Sequence, residues 1–398
     1  MGKTTEHESI VVGVKRERQD SVLASDTETY LPPTPQSIRK KLPEKLPTGT
    51  ESTPTRRKRQ KRVPLKYRPE KNAILEVQDV TQALLDEPEK VGFLYHALTN
   101  SQRIIVVSGA GISVASGIPD FRSSKGIFSK YGGSSGKDLF DINLFRSSDK
   151  IQQFTSMIRD LSNLVERSKP SKFHHFINQL AETSNLLRVY TQNIDCLELQ
   201  CPYLETKSPL PSKAPFPNVI QLHGNIKQVS CTKCHINYPL EANFSAKMSC
   251  PECIELDNVR ELVGKRTLGH GILKPKIILY NEHHPDGEAI GTISEMDLKS
   301  RPDCLIVAGT SLKIPGVKRM VKEFAKAVKG CKGCVIWLNK EPPPTSITNY
   351  IENMDLIVVA DCDSIPDLVS GYKDKYINKS LKTSTPQIKI DMLNTCKT

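Results

Sequence analysis

A chain of 398 residues with a net charge of +12, 37% apolar side chains and 11 cysteines suits one large α/β domain with insertions, or two to three smaller ones. No run of eighteen or more apolar residues is present, so no transmembrane helix or membrane partner is expected, and the opening MGKTTEHESI lacks the apolar stretch of a signal peptide. An odd cysteine count without such a stretch points to a reducing compartment, where clustered cysteines hold metal and do not cross-link.

The positive charge lies at the ends. Residues 1–71 hold 17 Lys/Arg against 9 Asp/Glu, residues 373–398 hold 6 Lys against 2 Asp, and residues 72–372 hold 33 of each sign. The first segment is rich in Pro, Ser, Thr, Lys and Arg and reads as a disordered basic tail. Within it Arg56-Arg57-Lys58-Arg59-Gln60-Lys61-Arg62 reads as a nuclear import signal, with nucleic-acid contact or a solvated linker as alternatives. Thr34-Pro35 and Thr53-Pro54 have the form of proline-directed phosphorylation sites, and phosphate beside the basic run would weaken it.

The pattern changes near residue 75. Residues 79–100 place Leu84, Leu85, Val91, Leu94 and Leu98 at helical spacing. Six short apolar runs then read as buried strands: Ile104–Val107, Leu187–Tyr190, Val219–Leu222, Leu305–Ala308, Val335–Leu338 and Leu356–Val359. Helical stretches separate them, as in Val317–Val328, where Val317, Met320, Val321, Phe324 and Val328 share one face. Strands alternating with helices predict a doubly wound, Rossmann-like parallel sheet. Two blocks break the rhythm, a helical one over 125–180 and a cysteine-bearing one over 225–270, and read as insertions forming a smaller domain. The expected organisation is a tail over 1–71, a catalytic domain over 72–372 and a flexible basic tail over 373–398.

The chemistry sits where strands end. The first apolar run leads into Ser108-Gly109-Ala110-Gly111-Ile112-Ser113, whose glycines permit a tight turn and close approach to a pyrophosphate. Gly117-Ile118-Pro119-Asp120-Phe121-Arg122 follows, an acid, an aromatic and a guanidinium in one loop. Thr191-Gln192-Asn193-Ile194-Asp195 ends the second run and puts amide side chains at the carboxyl edge of the sheet. His223-Gly224 ends the third; an imidazole with an ordinary pKa near 6.5 suits proton abstraction at neutral pH. Gly309-Thr310-Ser311, Asn339 and Cys362 stand at later strand ends. Cys231-x2-Cys234-x15-Cys250-x2-Cys253 has the spacing of a tetrahedral zinc site. Four thiolates leave no open position, so the zinc is structural. Cys331-x2-Cys334 lies in a turn before a strand and reads as incidental. The pairs His174-His175 and His283-His284 lack a partner cluster and read as surface residues.

Across residues 75–370 these motifs, in this order, resemble the sirtuins, whose signature runs Gly-Ala-Gly-Ile-Ser and then Gly-Ile-Pro-Asp-Phe-Arg. The resemblance implies an NAD-dependent protein-lysine deacetylase that releases nicotinamide and O-acetyl-ADP-ribose. It implies that Gly109, Ala110, Gly111, Asp120, Phe121, Arg122, Gln192, Asn193, Ile194, Asp195, Gly309, Thr310, Ser311, Asn339 and Cys362 hold NAD. It makes His223 the general base, with Asn193 and Asp120 positioning the ribose and an ordered water. Leu273, Tyr280, Asn281 and Glu282 are expected to bind the acyl-lysine substrate as an added strand. Tyr280-Asn281-Glu282 departs from the family's usual Phe-Gly-Glu. The run Lys313-Ile314-Pro315-Gly316-Val317-Lys318, with the basic N-terminal segment, is most similar to the fungal nuclear sirtuins that act on histone H3. Implied partners are acetylated histones, chromatin and an import receptor bound through residues 56–62. Competing functions are ADP-ribosyl transfer to protein, removal of longer acyl groups, NAD oxidoreduction and a non-enzymatic chromatin module; the cysteine block holds only Lys233 and Lys247 as cations, which argues against the last.

Overall fold

The computed structural model describes residues 67–120, 126–130, 138–352 and 354–378. The basic run 56–62, Thr34, Thr53, Phe121, Arg122 and residues 379–398 lie outside the described residues. In chain order the strands are β1 (Ala73–Glu76), β2 (Ile104–Ser108), β3 (Leu186–Thr191), β4 (Val219–Gln221), β5 (Gly224–Cys231), β6 (Asn237–Pro239), β7 (Leu273–Ile277), β8 (Cys304–Ala308), β9 (Cys334–Asn339) and β10 (Leu356–Val359). The helices are α1 (Val80–Asp86), α2 (Pro88–Asn100), α3 (Ile127–Lys130), α4 (Ser148–Arg167), α5 (Lys172–Glu182), α6 (Pro251–Leu262), α7 (Gly287–Lys299), α8 (Pro315–Gly330), α9 (Thr345–Ile351) and α10 (Ile365–Tyr372).

All six apolar runs become strands of one parallel sheet, ordered β1-β10-β9-β8-β2-β3-β4. Its central strands are buried on both faces, which is why they read as continuous apolar runs without alternation. Ile104 and Val106 face a core shared with Leu94, Phe173 and Leu368, whereas Ile105 and Val107 face Phe324, Val321 and Ile293. The chain leaves β2 toward β3 and β4 on one side, and β8 toward β9 and β10 on the other. The order thus reverses between β2 and β8, and doubly wound sheets bind ligands at such a reversal, outside the carboxyl ends of the strands.

Local chemistry sets the helix ends. Asp79 caps α1 by accepting from Gln82 N at 2.8 Å. The helical stretch expected over 79–100 is two helices, because Glu87 leaves the helical region and Pro88 starts α2. Leu85 falls on the exposed side of α1 and does not join the core. Strand β1 was not legible: four residues at the sheet edge, half of them exposed, give no long apolar signal.

A second core lies outside the sheet. Phe154, Ile158 and Leu161 of α4 pack with Ile226, Val229 and the zinc-module cysteines. Strands β6-β5-β7 form a small antiparallel sheet there. The helical block expected over 125–180 divides between the two cores, since Phe173, Phe176 and Ile177 of α5 pack against the main sheet. That assignment also moves His174 inside. It sits at the third position of α5, fully buried, and its Nδ1 accepts from Ser171 N at 3.1 Å as half of a capping box. Burial holds its pKa down to about 4, so it is a neutral structural residue and not a surface one. At the other end, Lys373–Asn378 continues α10 as a wide helical turn, where Tyr376 Oη donates to Leu84 O at 2.7 Å. Residues 373–378 thus extend the last helix. Among the described residues no helix is long and apolar enough to cross a membrane.

One buried ion pair ties β3 to α7. Arg188 donates to both carboxylate oxygens of Asp297, at 2.8 and 2.7 Å, and Tyr190 Oη donates to Asp297 at 2.7 Å. Removing one partner strands a buried charge. Asp297→Ala should destabilise the fold by about 3–5 kcal/mol. Urea unfolding followed by Trp337, the single tryptophan and buried in β9, checks this; a loss under about 1 kcal/mol would show that the pair is dispensable.

Candidate active site and zinc centre

Two glycine turns meet at the β2/β8 reversal. After β2 the chain turns through Gly109–Gly111, and after β8 through Gly309, whose φ is 60°. Gly111 N donates to Gly309 O at 2.9 Å. A Cβ on Gly111 would lie 2.6 Å from Gly309 Cα, and one on Gly309 would lie 2.6 Å from Ile112 N. Only glycine permits this contact. Together the turns bring main chain from the ends of β2 and β8 to the sheet's carboxyl edge, where a pyrophosphate is bound in doubly wound sheets.

The amide motif lies beside it. Gln192 N donates to Ser108 O at 3.0 Å, and Gln192 Nε2 donates to Thr310 Oγ1 at 2.9 Å, bridging the ends of β2, β3 and β8. Asn193 Nδ2 donates to Ser113 Oγ at 3.1 Å. Its Oδ1 is buried and has no partner. Asn193 also lines a cavity of about 10 Å³ with Ala110, Ile118, Pro119, Ile194 and Asp195. The cavity is about the size of one water, and Asn193 Oδ1 is an acceptor still open to a hydrogen-bond donor. Asp120 follows Pro119, and its main-chain carbonyl accepts from Ile127 N at 2.8 Å.

Beneath the cavity Asp195 accepts from Leu197 N at 3.0 Å, and burial raises its pKa. Glu198, also buried, is pushed up to about 8 by burial and by Asp195. Ser113 and Glu198 were not singled out in the sequence. The signal for Ser113 was available as the last residue of Gly-Ala-Gly-Ile-Ser, whereas a buried acid on a short turn has none.

His223 follows β4. Its Nδ1 donates to Gln192 O at 3.0 Å, which leaves Nε2 as the free, basic nitrogen. Burial lowers its pKa, against the raising effect of the Gln192 carbonyl, and His284 lowers it further. Gly224 fixes the position: at φ 75° its missing Cβ would stand 2.1 Å from Lys276 O. Ile278 N donates to His223 O at 2.9 Å, which ties the main chain of His223 to the residue after β7. His284, expected at the surface, is half-buried nearby and accepts from Asp286 N at 2.9 Å.

The remaining candidates separate. Ser311 directly follows Thr310, whose Oγ1 accepts from Leu312 N at 3.2 Å. Asn339 ends β9, partly exposed, whereas the Cys362 thiol is buried against the core, so only its main chain can meet a ligand. Tyr280, Asn281 and Glu282 form one loop after β7, in which Glu282 pairs with Lys274 and accepts from Leu279 N at 2.9 Å. Leu273 does not join them. It begins β7 opposite Cys231 and is buried in the second core, because strand pairing places it at the zinc end of the sheet.

The four cysteines converge. Their sulfurs lie within 4.8 Å of one another, with Cys231–Cys253 at 3.7 Å and Cys234–Cys250 at 3.6 Å. Four sulfurs bonded to zinc at about 2.3 Å would stand about 3.8 Å apart, so the set fits a tetrahedral ion. Gly271 is required beside it, since a Cβ there would lie 2.3 Å from Cys231 Sγ. Among the described residues this is the one group of three or more His, Cys, Asp or Glu side chains able to hold a metal; Cys331 and Cys334 are not part of any. Cys250→Ser should lower bound zinc from one ion per chain toward none and expose β5–β7 to protease. Metal analysis with limited proteolysis checks this, and full zinc retention would contradict the assignment.

The Sir2 family model matches residues 109–316. The chain is 41% identical over 366 residues to the NAD-dependent histone deacetylase HST4 of Saccharomyces cerevisiae, covering 85% of this chain and 98% of that one. It is 48% identical over 276 residues to the NAD-dependent protein deacetylase hst4 of Schizosaccharomyces pombe, covering 67% of this chain and 66% of that one. Its fold is similar to that of a Sir2 homologue solved as an NAD complex, with a TM-score of 0.55 at 21% identity, over 71% of this chain and 94% of that one.

Proposed function

The chain belongs to the Sir2 family, and we propose that it is an NAD-dependent deacetylase of histone lysines, histone H3 foremost, working on chromatin in the nucleus. Its relatives in the two yeasts carry deacetylase names, one of them for histones. The observation that carries the reading is that the glycine turns at the β2/β8 reversal are linked through Gln192 to the carbonyl that orients His223, with the orphan Asn193 Oδ1 next in the chain. The H3 preference rests on the Lys313–Lys318 run and the basic N-terminal segment, and nuclear entry on the run 56–62 as a docking site for an import receptor.

When bound, NAD supplies an activated ribose carbon with nicotinamide as its leaving group. The protein's own work is positional and protic. Gly109, Ala110, Gly111, Gly309, Thr310 and Ser311 offer main-chain and hydroxyl groups to the pyrophosphate and ribose. Asn339 and the main chain at Cys362 border the adenosine half. Asn193 Oδ1, Ile194 and Asp195 hold the nicotinamide end, to which the family resemblance also assigns Asp120, Phe121 and Arg122. Gln192 couples the turn after β8 to the carbonyl that orients His223. His223 Nε2 takes a proton from a ribose hydroxyl. Tyr280, Asn281 and Glu282 present an edge to which an extended acyl-lysine peptide adds. Holding both reactants in one pocket removes much of the entropic part of the barrier.

Incubation with acetylated core histones and NAD, read by mass spectrometry, should show loss of acetyl matched by equal nicotinamide and O-acetyl-ADP-ribose. ADP-ribose left on protein, or no acetyl loss, would overturn the reading. His223→Ala should reduce turnover by about 10²–10⁴-fold with zinc retained. The lowered pKa of His223 sets the sign of the pH dependence. The imidazole must be neutral to accept a proton, so kcat/KM should be flat at neutral pH and fall only below about 6.5. A fall that begins above pH 7 would remove His223 from the base role.

A further inference from the structure

The loop Leu279–Glu282 is tied to the helical module by its main chain. Tyr280 N donates to Phe140 O at 2.6 Å and Ile142 N donates to Tyr280 O at 3.1 Å, so Asp141 and Tyr280 pair as a short parallel bridge. Both main-chain groups of Tyr280 are thus engaged on that side. Asn281 comes next, in the left-handed region at φ 63°. Glycine takes this conformation freely, and asparagine is among the few other residues that adopt it readily. The side chain that glycine would lack reaches back across the bridge: Asn281 Nδ2 donates to Asp141 Oδ2 at 2.6 Å. The other oxygen of Asp141 accepts from Asn143 N and Asn143 Nδ2, both at 2.8 Å, and so caps the turn at Ile142–Arg146. One carboxylate therefore joins the helical module's first turn to the loop after β7.

We propose that Asp141 and Asn281 form a latch that fixes this loop to the helical module, making Asn281 a positioning residue for the acyl-lysine peptide. The proposal rests on the assignment of the Tyr280–Glu282 loop to substrate. Its physical effect is preorganisation. A glycine at φ 63° leaves the loop free to depart from this geometry, and a peptide adding to it must then bear the ordering cost. Asparagine keeps the same backbone and supplies a charge-assisted bond that holds it. The departure from the family's Phe-Gly-Glu is thus a change in how the substrate edge is held.

The test uses the full chain and three variants. Asn281→Gly keeps the backbone conformation and removes the bond. Asn281→Asp tolerates the conformation but sets two carboxylates against each other. Asn281→Asp combined with Asp141→Asn exchanges donor and acceptor and restores the pair. Two quantities are read: KM for an acetyl-lysine peptide, and amide hydrogen exchange at Ile142 and Tyr280. Asn281→Asp should raise peptide KM by roughly three- to tenfold with KM for NAD unchanged, and should speed exchange at both amides. Asn281→Gly should fall between it and the unmodified chain, and the exchange of partners should restore both readings. Failure of the paired variant to restore them, or no effect of Asn281→Asp, would overturn the latch. An unmodified chain that removes no acetyl would defeat the substrate assignment instead, and exchange at Ile142 and Tyr280 would still decide the contact.

Discussion

The architecture of the site depends on a backbone contact between two glycine turns. Gly111 and Gly309 approach closely enough that a methyl group on either would collide with main chain. The contact is possible because β2 and β8 are adjacent and parallel, with their carboxyl ends level, Ser108 beside Ala308. It packs the two turns together at the place where the sheet's connections diverge. The later steps follow from this geometry. Thr310 comes within reach of Gln192, the Gln192 carbonyl orients His223, and Asn193 is turned toward the cavity with one acceptor unsatisfied.

The small domain serves the same site from the other side. The zinc centre holds the far end of the β5–β7 sheet, and Gly224 brings the near end within hydrogen-bonding distance of His223. Zinc so placed has no contact with the reaction. A zinc ion held by the four cysteines would keep the far ends of β5 and β7 together. The ion pair of Arg188 with Asp297 does comparable work behind β3, where burial makes the loss of either partner costly.

Much of this was legible because the signals are local. A doubly buried strand such as Ile104–Val107 writes itself as an unbroken apolar run, and Cys231, Cys234, Cys250 and Cys253 declare a metal through spacing alone. What the sequence concealed depends on tertiary neighbours. His174 looked exposed because no partner cluster adjoins it in the chain; its partner is the cap residue Ser171, and α5 buries both against the sheet. Leu273 was expected on the substrate strand because its run leads into the stretch that resembles the family's Phe-Gly-Glu. Strand register puts it opposite Cys231, at the far end of β7. Leu85 stands beside Leu84 in the chain yet points outward, since adjacent helical residues lie about 100° apart and the face of Ala83 and Leu84 meets the core. Glu198 gives no sign in the sequence at all, because nothing marks a carboxyl that will be wholly buried beside another.

The central claim is that the paired glycine turns form the dinucleotide site, and Gly309→Ala tests it most directly. At φ 60°, with its added carbon 2.6 Å from Ile112 N, the substitution must push the two turns apart. Calorimetric titration with NAD should show affinity weakened by roughly ten- to a hundredfold, while zinc content and Trp337 emission stay those of the folded protein. Unchanged NAD affinity in a folded Gly309→Ala variant would contradict the account.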